Sequence, residues 1–155
     1  MNWPKATPRL ICSFFGAGNL PKAPGTWGSA AALPLIWILA WIGGPWLLGA
    51  AMVVLFGVGW WASAQIVAED GMEDPSWVVI DEVVGQGLTL LLIPPSLLGY
   101  GVGFLLFRLF DIKKPWPVSW ADQEIKGGLG IMLDDVLAAI YAAAVLALLG
   151  QLHLL

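Results

Sequence analysis

Five acidic residues stand at the edges of apolar runs: Asp81 and Glu82 in "IDEVVGQ", Asp111 in "FRLFDIKKP", and Asp134 and Asp135 in "GIMLDDVLAA". A carboxylate in lipid costs about 2.5–3.5 kcal/mol at a helix centre on insertion scales and less toward the interface, so each asks for a compensating partner. The nearby cations are too few. Arg108, Lys113 and Lys114 set three positive charges against five negative ones, and like charges at close range repel one another. A divalent cation resolves the imbalance. Carboxylate oxygens without His or Cys partners suit a hard ion, Mg2+ before Mn2+ or Ca2+, and disfavour zinc. All five acids are therefore candidate metal ligands and candidate catalytic groups. Adjacent helical residues point about 100 degrees apart, so one member of each pair is expected to bind metal directly. The other would orient a water or a ligand. The bland alternative for either pair is a carboxylate at a helix N-terminus, where the macrodipole favours it by about 0.3–1 kcal/mol. Two pairs and Asp111 on one face favour the chemical reading.

The cations fit the same site. Arg108 and Asp111 are three apart, share a helical face and can pair there. Alternatively, the Arg108 guanidinium forks onto phosphate oxygens while Lys113 or Lys114 adds a point charge. Pro115 disfavours helix at Lys114, so the chain should leave the helix at that residue. Near the N-terminus, "GAGNLPKAPGTWGS" runs into the first apolar stretch. Its Gly25, Thr26, Gly28 and Ser29 would let an anion approach free backbone N–H groups. From pattern alone an ordinary loop, with Thr26 or Ser29 as the helix cap, is the stronger reading.

The elements that must position these groups are apolar. Of 155 residues, 59% are hydrophobic and only 12% charged, about half the charged share of ordinary globular domains. Apolar stretches run from about residue 30 to 42, 47 to 64, 83 to 93, 97 to 107 and 136 to 152, with a tight turn at "GGPW" between the first two. The expectation is an all-α, polytopic membrane helical bundle of about five transmembrane or partly re-entrant helices, forming one domain over residues 1–155. The segment after Glu82 is short for a full crossing, which takes roughly 20 residues. Five spans put all seven basic residues, Lys5, Arg9, Lys22, Arg108, Lys113, Lys114 and Lys126, on one side, which the positive-inside rule assigns to the cytoplasm. Trp41 and Trp46 flank the outer turn; Trp27, Trp60, Trp77, Trp116 and Trp120 sit near the inner boundary as headgroup-level anchors. The other acids, Glu69, Asp70, Glu73, Asp74, Asp122 and Glu124, read as solvated loop charges.

Several classes are excluded. A net charge of −4 and seven cations argue against nucleic acid. Cys12 is the only cysteine, so a thiolate metal cluster lacks its parts. The only histidine, His153, falls in the C-terminal tail on the expected outer side, which leaves the acidic face without the histidine of a Ser-His-Asp triad. "RLICSFFGAG" is too short and broken for a signal peptide.

Four stretches taken together, "GAGNLPKAPGTWGS", "IDEVVGQ", "FRLFDIKKPWPV" and "KGGLGIMLDDVLAA", resemble the phosphatidylglycerophosphatase A family of bacterial inner-membrane lipid phosphatases. They occur in the family's order and span roughly residues 14–139. One departure is Ala139, where the family often has Gly. The resemblance implies Mg2+-dependent hydrolysis of phosphatidylglycerophosphate to phosphatidylglycerol and inorganic phosphate at the cytoplasmic face. It points to Asp81, Glu82, Arg108, Asp111, Lys114, Pro115, Asp134 and Asp135, with Gly25, Thr26, Gly28 and Ser29. The rival class is a small divalent-cation transporter or channel, whose acids would line a path near the midplane. A third reading, a scaffold that binds anionic headgroups, needs the basic residues but not Asp134 and Asp135.

Overall fold

The computed structural model describes residues 6–154; Lys5, counted above with the cytoplasmic cations, lies outside them. Among the described residues the chain is helical, without strands. Helix α1 spans Ala6–Cys12, and a 3-10 turn at Ala17–Asn19 leads to α2, Pro24–Asp70. Then come α3, Ile80–Thr89, α4, Leu97–Lys113, α5, Val118–Glu124, and α6, Gly127–Gln151.

Helix α2 is two arms rather than one rod. Gly44 has φ 60 and ψ −156, outside helical values, with Pro45 beside it. Gly28 packs on Val79 while Gly59 packs on Ile80, its neighbour in the chain. A straight helix would hold those glycines about 47 Å apart at roughly 1.5 Å per residue. The chain therefore folds back at Gly44, as expected from "GGPW". Trp41 and Trp46, on either side of that turn, are 78% and 88% exposed.

The start of α2 corrects the expected boundary. The helix begins at Pro24, not near residue 30, because proline is preorganised for the first helical position and has no N–H to leave unpaired. The N-cap is Ala23, in the left-handed region and without a side-chain cap. Thr26 and Ser29, the expected caps, lie inside the helix, and Ser29 Oγ donates instead to the Gly25 carbonyl at 3.0 Å.

Two helices, α2 and α6, are long and apolar enough to cross a membrane by length and composition. Helix α3 is not. Its ten residues rise about 15 Å, half of a hydrocarbon core of about 30 Å. It is instead walled in by α2, α4 and α6, and eight of its ten residues are buried, including the polar Asp81, Gln86 and Thr89. Helix α6 reaches the second arm of α2 through Gly128, where an added Cβ would stand 2.5 Å from the Ala64 backbone nitrogen. That close approach brings the first turns of α6 beside α3 and so sets the depth of Asp134 and Asp135.

Candidate active site

Four helix ends converge on one polar cluster in this apolar chain. Asp81 and Glu82 occupy the first turn of α3, Arg108 and Asp111 the end of α4, and Asp134 and Asp135 the third turn of α6. The start of α2 closes it: a Cβ on Gly25 would collide with Glu82 Oε1 and stand 3.1 Å from Arg108 Nη1. Gly25 is therefore a space requirement. The next turn of the helix makes the same demand at Gly28, where a Cβ would come within 2.6 Å of Val79 Cβ.

Asp81, Glu82 and Asp135 each offer a carboxylate oxygen, and these oxygens all lie within 4.8 Å of one another. Asp81 and Asp135 are 8% and 2% exposed. Asp81 Oδ1, Glu82 Oε2 and Asp135 Oδ2 are buried and have no hydrogen-bond partner. Buried polar atoms almost always have partners, and three anionic oxygens gathered out of water repel one another unless a cation joins them. The orphaned oxygens fit a bound hard cation, and the all-oxygen donor set is of the kind Mg2+ takes.

The two acidic pairs are arranged differently. Asp135 joins the triad, whereas Asp134 turns aside: its Oδ2 accepts from Lys114 Nζ at 2.8 Å and its Oδ1 from the Asp135 backbone N–H at 3.0 Å. Asp81 and Glu82 both reach the triad. Glutamate's extra methylene lets Glu82 cover the angle that separates adjacent helical residues.

Asp111, 8% exposed, accepts a hydrogen bond from Arg108 Nη1, which also lies 3.7 Å from Glu82 Oε1. Lys114 leaves the helix as Pro115 requires, with φ 45 and ψ 58. Its Nζ bridges Asp134 and Asp122, the latter at 2.5 Å. Burial alone would lower the Lys114 pKa, but the two carboxylates outweigh it and hold the ammonium above the ordinary lysine range. Lys113, the other candidate for this charge, is exposed.

Asp122 is thus no free loop charge, and two others also have partners: Asp70 pairs with Arg9 at 2.7 Å and Glu73 with Lys126 at 3.0 Å. Sequence spacing hid these contacts because the partners lie 8, 61 and 53 positions apart. A cavity of about 80 Å3, lined by Asp74, Asp81, Asp122, Gly130 and Asp134 among others, opens beside the cluster. It has room for several waters.

At the start of α2, Pro24 has no N–H, and the Thr26 and Trp27 amides already donate to the Ala23 carbonyl at 3.0 and 3.3 Å. An anion there would meet few free amides, so the closest link between this segment and the cluster is the one at Gly25.

A family model described as phosphatidylglycerophosphatase A matches residues 10–150. The chain belongs to the phosphatidylglycerophosphatase A family. The match takes in every residue of the cluster. The phosphatidylglycerophosphatase A of Escherichia coli is 36% identical over 145 residues, covering 92% of this chain and 83% of the relative. That of Haemophilus influenzae is 40% identical over 137 residues, covering 88% and 84%. A Bacteroides thetaiotaomicron protein named putative phosphatidylinositol-3-phosphatase is 40% identical over 155 residues, covering 95% and 96%. No solved structure matches. Membership makes the chain a phosphatase, and together with α2 and α6 it marks a membrane-associated protein.

Proposed function

We propose that this chain hydrolyses phosphatidylglycerophosphate to phosphatidylglycerol and inorganic phosphate in phospholipid synthesis, with Mg2+, at the cytoplasmic face of the bacterial inner membrane. The observation that carries the reading is the triad of Asp81, Glu82 and Asp135, with its unpartnered oxygens, beside Arg108. The names of two relatives supply the substrate. Residues 1–155 then act as one membrane-embedded unit, with the arms of α2, α4 and α6 as spans and α3 as the re-entrant piece. Arg108, Lys113, Lys114 and Lys126 lie at the helix ends that form the cluster, and the positive-inside rule puts that end in the cytoplasm.

In this mechanism Asp81, Glu82 and Asp135 hold the metal, with Asp111 and Asp134 beside them. Bound Mg2+ supplies charge neutralisation at the phosphoryl group and makes water a better nucleophile. Arg108 takes phosphoryl oxygens on the guanidinium N–H groups not used by Asp111, and Lys114 adds a point charge. Gly25 and Gly28 allow the start of α2 to close over the site, with Thr26 on the same turn, while the buried Ser29 hydroxyl braces that turn through the Gly25 carbonyl. A carboxylate takes a proton from water as the water oxygen attacks phosphorus. The bond from phosphorus to the glycerol oxygen breaks, and that oxygen gains a proton to give the lipid alcohol. Direct attack by a carboxylate is the other course; acid quench during turnover of substrate labelled in its terminal phosphate leaves label covalently on the protein only in that course.

A transport path would set its acids near the midplane. Asp81, Glu82 and Asp111 stand in the first or last turns of their helices, and Asp134 and Asp135 near the start of the 25-residue α6, which favours headgroup chemistry. The test is phosphate release by purified protein in mixed micelles, with and without Mg2+, from phosphatidylglycerophosphate and from phosphatidylinositol 3-phosphate. The expected result is Mg2+-dependent release from the first lipid, lost in Asp135→Asn and Arg108→Ala. Full activity in chelator, or preference for the second lipid, overturns the assignment.

A further inference from the structure

Helix α3 carries a buried polar side chain that the mechanism above does not use. Gln86 lies four residues after Glu82 on α3 and is 0% exposed, yet neither Oε1 nor Nε2 has a hydrogen-bond partner. A buried amide left unpaired costs stability, and an apolar side chain of the same length would avoid that cost. Residues four apart share a helical face, and helical side chains lean back over the preceding turn. The Gln86 amide therefore runs toward the turn that carries Glu82. Two more unpartnered buried atoms belong to that neighbourhood: Glu82 Oε2, which needs a donor, and Arg108 Nε, whose N–H needs an acceptor. Arg108 and Glu82 are themselves 3.7 Å apart at Nη1 and Oε1. An amide is the neutral side chain that meets both needs, with a donor at Nε2 and an acceptor at Oε1.

We infer that Gln86 is a positioning residue for the phosphatase site. Its N–H donates toward Glu82 Oε2 and its carbonyl accepts from Arg108 Nε–H, each directly after side-chain rotation or through one water. This leaves Glu82 Oε1 turned to the triad and holds the guanidinium edge toward the phosphate. Gln86 is not among the residues to which the family resemblance points. The inference rests on the proposed metal-binding role of the triad and deepens it.

The test compares wild type with Gln86→Met, which keeps length and burial but neither donor nor acceptor. Mn2+ binding by electron paramagnetic resonance, melting temperature without metal, and kcat and KM for phosphate release are measured in the same detergent. The expected outcome is Mn2+ affinity weaker by about tenfold, as for partners one step removed from a metal in other sites, with a metal-free melting temperature equal to or above wild type. Unchanged Mn2+ affinity overturns the inference, and so does a fall of several degrees in the metal-free melting temperature with affinity intact, which marks a purely structural amide. If Gln86→Met does not fold, Gln86→Asn takes its place, its amide drawn back by one methylene. The same weakening is expected, and collapse of both variants also overturns the inference. Failure of wild type itself to bind Mn2+ would instead strike the proposed metal site, so the two failures are distinguishable.

Discussion

Gly25→Ala separates a glycine needed for space from one that merely sits in a helix. At an ordinary interior helical position the change stabilises, because alanine is favoured over glycine by about 0.8–1.0 kcal/mol. Here the new methyl would overlap Glu82 Oε1, with Glu82 Cδ at 3.0 Å and Arg108 Nη1 at 3.1 Å. The carboxyl group must withdraw by roughly 1 Å, a displacement that costs about a hundredfold when it disturbs reacting groups. That factor is about 2.7 kcal/mol in transition-state stabilisation. Overpacking adds about 1–3 kcal/mol of lost stability. Gly101→Ala is the control, since a Cβ there meets nothing within 4 Å. Phosphate release and thermal melting in one detergent give the readout. The expected result is a hundredfold fall in kcat/KM with a lower melting temperature for Gly25→Ala, and wild-type activity with equal or higher stability for Gly101→Ala. If Gly25→Ala keeps kcat/KM within about threefold of wild type, close approach of α2 to Glu82 is not what positions that carboxylate, and the reasoning fails.

The two members of the α6 pair should differ in kind. Asp135→Asn is expected to abolish Mn2+ binding, whereas Asp134→Asn, which removes a Lys114 partner, should keep binding and raise KM; equal Mn2+ loss in both would contradict the division. Lys114→Met leaves Asp122 and Asp134 without their shared cation and should cost about 2 kcal/mol by chemical melting, since removing one partner exposes the burial cost of the other. Because the Lys114 pKa is raised above its ordinary 10.5, its stabilisation is fully present below that pH and is lost as pH rises through the higher folded value. Lys114 itself therefore adds no pH dependence to the Lys114→Met penalty below that value, and a penalty that falls toward about pH 6 reports protonation of its carboxylate partners Asp122 and Asp134. Cys12 is buried against Ser63 at 3.7 Å, and burial pushes its thiol up to about 11. Maleimide at pH 7.5 should leave it unlabelled in the folded protein and label it after denaturation; rapid native labelling would show that α1 opens readily.

Much of the local structure was legible without coordinates. Gly43, Gly44 and Pro45 announced the reversal between the two arms of α2 because none of them favours helix. Pro115 announced the exit of Lys114 through its clash with the preceding residue, and Arg108 and Asp111 announced their pairing through i,i+3 spacing. These are statements about neighbours along one chain segment. Where the expectation differs from the structure, residue types alone did not show which partner a side chain takes. Asp122 looked like a loop charge because nothing beside it shows that α5 returns to Lys114. Thr26 and Ser29 looked like caps because their chemistry suits capping, but Pro24 starts the helix earlier and Ser29 turns to its own backbone.

Residue types alone establish that an apolar chain carries five acids at its edges without enough nearby cations to balance them, and hence that the acids need a partner. Charge and hydropathy are sums over residue types, readable without a fold. Packing of the helices sets the rest: Asp81, Glu82 and Asp135 form the triad while Asp134 belongs to Lys114, Gly25 leaves no room for a side chain, and Gln86 is buried with its amide unpartnered. Those outcomes depend on gaps of a few ångströms between segments tens of residues apart, set by how α2, α3, α4 and α6 pack.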